Sequence, residues 1–181
     1  MSDFDAALEA KISRNAELAA QRQDAEAKMD RVQAEAAERR AQEEQRRRVR
    51  SDERHTELVE HLRTVADALK QASPQDFVVR MGWTQSGEEF IAKITSRRLR
   101  PARSLFIELD RDDDEVLVRW HSDLGNSLEL WRLLECSPRM LEELVLQAAD
   151  QDLWRELTRP PAFPSPDDPD ADDDQAGERH A

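Results

Sequence analysis

The residue types that most often do chemistry in proteins are all present here, but in spacings that suit none of the familiar reactions. His121, Ser122 and Asp123 are consecutive. A nucleophilic triad is assembled by the fold from separate elements, because neighbours along a strand point to opposite faces. Asp110, Asp112 and Asp114 offer the alternating carboxylates of a calcium loop. Its sixth position, where a glycine makes the sharp turn, is Glu115, and its twelfth is His121 in place of the bidentate glutamate. The run Asp170, Asp172 and Asp174 fails in the same way. His55 and His61 stand six apart, so they cannot share a helix face as ligands four apart do. Cys136 is the single cysteine, which excludes an internal disulfide and a multi-thiolate zinc site, and its neighbours Leu133 and Leu134 mark it as a small buried hydrophobe. Neither GxGxxG nor GxxxxGK[ST] occurs, so the known phosphate cradles are missing. The expectation is a protein that is not an enzyme and uses no cofactor and no metal.

Arginine supplies the remaining candidates. Arg97, Arg98, Arg100 and Arg103 put four positive charges into RRLRPAR with no acid among them. Such a segment could hold a phosphate or an acidic peptide, the chain's own acidic end included, or simply keep a strand edge soluble. These four are the first candidates for partner contact. A second run, from Arg39 to Arg54, interleaves its arginines with glutamates. Glu35 with Arg39, Glu43 with Arg47 and Glu44 with Arg48 stand four apart in the favourable order, each pair contributing about 0.2–0.5 kcal/mol to a solvated helix. A basic helix followed by leucines resembles the layout of leucine-zipper transcription factors. That family reads bases with an asparagine inside the basic segment, and residues 39–54 contain none.

The whole chain sets bounds on these readings. Its 181 residues are 38% hydrophobic and 37% charged, with a formal net charge of -13, so the core is small and the surface as a whole repels nucleic acid and anionic lipid. No apolar run approaches the roughly 18 residues that would cross a bilayer, and MSDFDAALEA has neither the basic flank nor the apolar stretch of a secretory signal. The expected setting is the cytoplasm, with no membrane partner.

Three zones must position the candidates. Residues 1–73 hold no glycine and no proline and are rich in Ala, Glu, Arg and Gln, which predicts a long helix stopped at Ser73-Pro74. About 70 residues at about 1.5 Å each would reach roughly 105 Å, too long for the rest of the chain to cover, so a coiled-coil stalk is expected. A seven-residue repeat places Leu8, Met29 and Ala36 at one seam position and Phe4, Leu18, Ala25 and Val32 at the other, interrupted by Lys11, Asn15 and Arg22. Leu8, Leu18, Met29 and Val32 are the candidate oligomerisation residues. The stripe fades after residue 36, and Leu58, Leu62, Val65 and Leu69 start another in a different phase, with a continuous or merely bent helix between them.

Residues 74–158 hold all four tryptophans and read as an α+β globular domain: a four-stranded antiparallel sheet covered on one face by C-terminal helices. Phe77, Val79, Met81 and Trp83 share one face of the first strand, and Phe90, Ala92 and Ile94 one face of the second. Leu105, Ile107 and Leu109 line the third, and Val116, Val118 and Trp120 the fourth. SLELWRLLE and the stretch after Ser137-Pro138 carry helical spacing, with Leu141, Leu144, Val145, Ala148 and Leu153 inward. The uncovered face would present Val78, Ile91 and Leu117 to a partner. A domain of this size is barely large enough, so docking of the preceding helix through Leu62, Val65 and Leu69 is expected to help it fold. Residues 159–181, rich in proline and aspartate, read as a disordered acidic tail.

Together these features predict a homo-oligomeric adaptor that presents small α+β heads on a coiled-coil stalk to a protein partner. The alternative is a nucleic-acid-associated regulatory factor that grips phosphate with its arginine clusters while the acidic tail competes for them.

Overall fold

Helix α1 (Asp3–Ala72) begins where the composition predicts. The Ser2 hydroxyl accepts the Asp5 N–H at 3.3 Å, beside the Ser2 carbonyl that accepts it at 3.0 Å, while the Asp5 carboxylate accepts the Ser2 N–H at 3.2 Å, a reciprocal cap on the first turn. The helix stops at Ser73-Pro74, where the Ser73 hydroxyl donates to Asp76 at 2.8 Å. The computed structural model describes residues 2–166. Five strands follow, β1 (Phe77–Trp83), β2 (Glu89–Ser96), β3 (Arg103–Asp110), β4 (Glu115–Ser122) and β5 (Gly125–Trp131). The chain then forms a 3₁₀ turn (Leu133–Glu135), α2 (Pro138–Ala149) and α3 (Gln151–Glu156). The fold is α+β, and among the described residues no helix is long and apolar enough to cross a membrane.

The chain divides into two compact units between Arg47 and Arg48. In the first, every described residue is exposed except the half-buried Ala36; Leu8, Leu18, Met29 and Val32 keep 42–61% of their surface in water, and Phe4 and Ile12 are open too. The second unit takes in the end of α1, so the boundary expected at residues 73–74 falls inside a folded body. Ser51, His55, Leu58, Val59, Leu62 and Ala66 form one buried helix face, with Val65 and Leu69 at its margin. The His55 Nε2–H donates to the Leu109 carbonyl at 3.0 Å, fixing the helix to the end of β3.

The sheet is an antiparallel meander in the order β1-β2-β3-β4-β5. It has one strand more than expected, because SLELW is strand where its spacing had suggested helix. Leu130, Trp131, Leu133 and Leu134 suit a helical face, while Leu128 and Leu130 alternate as in a strand, and the hairpin decides between the two. Gly125, at φ +116, lets a two-residue connection, Asp123 and Leu124, turn β4 straight into β5, with Ser122 opposite Gly125. The inner face carries the apolar alternation read from the sequence, and Phe90, Ile107, Leu109, Val116, Val118 and Trp120 are fully buried. Against it lie the end of α1 and α2, whose Met140, Leu141, Leu144, Val145 and Ala148 are buried. The predicted inward Leu153 is only half-buried, and Trp154 takes the interior place. Asp150, in extended conformation, ends α2 and caps α3 by accepting the Leu153 N–H at 3.0 Å, so the helical phase restarts there.

Residues 159–166, assigned to a tail on composition, belong to this body. Pro161 and Pro164 are buried, Phe163 meets Trp131 edge-on at 6.2 Å, and Gln147 donates to the Ala162 carbonyl at 3.2 Å. Proline lacks an N–H donor, so such a strap can pack by its rings alone. The disorder expected for the tail otherwise falls at 167–181, outside the described residues.

Candidate functional site

With helices on one face only, the outward positions of the five strands form an open surface, and the antiparallel register aligns them into rows. Arg80, Lys93, Phe106, Arg119 and Leu128 are successive cross-strand partners from β1 to β5. The neighbouring row reads Val78, Thr95, Ser104, His121 and Asn126. These ten positions hold three permanent cations, one imidazole and no carboxylate. Since acidic residues outnumber basic ones 40 to 27 in the chain as a whole, the segregation is strong. The third row, Gly82, Ile91, Glu108, Leu117 and Leu130, turns apolar and acidic. There, partial burial first, and then the charges of Glu89, Asp110 and Glu115, push the Glu108 carboxyl above the usual 4.5 of a glutamate. The face therefore has a positive centre and a negative end.

The centre is built around Phe106, half-buried on β3. The Arg119 guanidinium lies over its ring at 5.0 Å, and Thr95 and Ser104 share a hydrogen bond at 2.9 Å beside it. Two shallow hollows meet at Lys93. One of about 270 Å³ is lined by Lys93, Ser104, Phe106, Arg119, His121 and Asn126. The other, of about 210 Å³, is lined by Val78, Arg80, Lys93 and Thr95. Both are open to water, which suits capture of a charged group rather than desolvated chemistry.

The arginines singled out from the sequence separate into two kinds. Arg97, Arg98 and Arg100 are exposed on the connection between β2 and β3; Arg100 faces Asp123 at 3.5 Å, and Arg98 adopts φ 55. Arg103, expected among the partner contacts, is not a surface residue and is closed to a partner. It belongs to β3 and shares the inward parity of Leu105, Ile107 and Leu109, so it is 2% exposed. Its guanidinium donates to the carbonyls of Ala148 at 2.9 Å and Pro101 at 3.1 Å and to Gln151 at 2.9 Å. It lies over the rings of Trp154 and Phe77 at 5.2 and 5.8 Å. Burial pushes this group below its ordinary value, and the nearby Asp150 charge opposes the shift. A cation at the last turn of α2 meets carbonyls with no partner inside the helix, which is where positive charge is best accommodated.

The other sequence candidates are engaged locally. Asp110 accepts the N–H groups of Asp112 and Asp113 at 3.0 and 3.1 Å, and Asp114 accepts the Leu133 N–H at 3.2 Å and pairs with Arg132. Ser122 donates to the Gly125 carbonyl and Asp123 accepts the Ala102 N–H, so neither meets His121 as a triad would require. Cys136 is buried.

Arg80, Lys93, Phe106 and Arg119 were not singled out from the sequence. Their signal was present in the outward parity of each strand, but it becomes a cluster only once the three registers that join β1 to β4 are known. No protein-family model, no curated protein and no solved structure matches this chain.

Proposed function

We propose that this protein is a non-enzymatic binding protein that associates with copies of itself through α1 and offers the open face of its sheet to an anionic partner. The observation that carries the reading is the pair of acid-free rows holding Arg80, Lys93 and Arg119 in an otherwise acidic chain. Arg97, Arg98 and Arg100 extend the positive field from the adjoining connection. The exposed seam at Leu8, Leu18, Met29 and Val32 supplies the self-association, since one helix alone cannot bury it. Joining two heads raises the effective concentration of the second contact without strengthening either one.

Heparin, a polyanion, tests the binding face. The full chain should be retained on immobilised heparin at low salt. The variant Lys93→Glu/Arg119→Glu should flow through, with an unchanged circular dichroism spectrum, because both positions are outward. Equal retention of the two proteins contradicts the reading.

A further inference from the structure

We infer that the positive centre of the open face is a platform for single-stranded nucleic acid, with a base stacked beside Phe106 and backbone phosphates neutralised by Arg80, Lys93 and Arg119. The inference rests on the anionic-partner reading and adds the identity of the anion. Charge alone would accept an acidic peptide equally well; the aromatic ring separates the two. Phe106 stands between Lys93 and Arg119 in one cross-strand row, and the Arg119 guanidinium already lies over it at 5.0 Å. A ring and a guanidinium plane flanked by cations are the surfaces on which unpaired bases stack, whereas a carboxylate-rich peptide makes no use of them.

The dimensions favour a strand over a free small anion. The two hollows, of about 270 and 210 Å³, fall below the usual range of small-molecule pockets, roughly 300–1,000 Å³, and are open. Both are lined by Lys93, so they are consecutive stations for a repeating polymer. Ser104, His121 and Asn126 line the larger one and supply donors and acceptors for a base edge. A duplex keeps its bases stacked inside and leaves Phe106 without a partner.

Fluorescence anisotropy of the full chain with labelled oligothymidylate of about 12 nucleotides tests this, since single-strand site sizes run about 4–16 nucleotides. The expected result is binding that exceeds that of a duplex of equal length and of polyglutamate of equal charge. Its log K should fall against log salt with a slope of about -1.4 to -2.1, for two to three phosphates. Phe106→Ala should weaken it about 5- to 150-fold, the range for loss of one stacked base, while heparin retention persists. Phe106→Leu, which keeps apolar bulk on the strand, should weaken it as well, and an unchanged melting curve for either variant shows that the head is intact. Heparin retention without oligonucleotide binding, tighter binding of polyglutamate, or indifference of the oligonucleotide to both Phe106 variants overturns the inference and leaves the anionic face standing. Loss of heparin retention as well removes both.

Discussion

A fragment beginning at residue 74 is expected to lack a cooperative thermal transition, whereas one beginning at residue 48 melts as the head of the full chain does. Leu58 and Leu62 are fully buried against the sheet and Val59 is 4% exposed. Burying such side chains contributes about 1.5–3 kcal/mol each, so the three account for about 5–9 kcal/mol, against a typical total of about 5–15 for a domain. Removing the helix also exposes the sheet residues beneath it and strips the Leu109 carbonyl of its His55 donor. Circular dichroism melts of the two fragments check this. A sharp transition in the shorter one would show that the end of α1 is an accessory to the head.

Substitution of Arg103 is expected to cost about 3 kcal/mol, although an arginine on a strand of an acidic protein looks dispensable. Arg103→Met keeps the length of the side chain but withdraws donors from Ala148, Pro101 and Gln151. A buried polar group left unpaired costs about 1–3 kcal/mol, and at least the Ala148 acceptor becomes one. This differs from exchanging an ion pair for apolar residues, where both partners leave together. At about 4 °C per kcal/mol for a domain of this size, the melting temperature should fall by about 12 °C. Arg103→Lys retains the charge but not the planar fork, and should fall between the two. Calorimetry on the three proteins measures the series. A methionine variant as stable as the parent would mean that those carbonyls find water or other donors.

The inner half of the head was legible because each strand repeats its apolar residues every second position. Phe90, Ile94, Leu105, Ile107, Val116 and Val118 all lie where that alternation puts them. What escaped was set by tertiary context. Gly125 turned an ambiguous apolar run into β5. Asp150 restarted the helical phase and exchanged Leu153 for Trp154. Arg103 looked like part of a basic loop until the strand was seen to begin at that residue, which makes its parity inward. The open-face cluster was the least legible, because Arg80, Lys93, Phe106 and Arg119 lie 13 residues apart in sequence and meet only through the pairing of four strands. Composition alone cannot tell a proline-rich strap from an unfolded end, and Phe163 against Trp131 is the contact that distinguishes them.

Self-association of α1 is the claim on which the account rests, and the molar mass of the full chain in solution measures it most directly. Light scattering coupled to size exclusion at micromolar concentration should give at least twice the 20.9 kDa of one chain. The variant Leu18→Asp/Met29→Asp should return to a single-chain mass with the melting of its head unchanged, because both residues lie in the first unit. A full chain that elutes at 20.9 kDa would contradict the account.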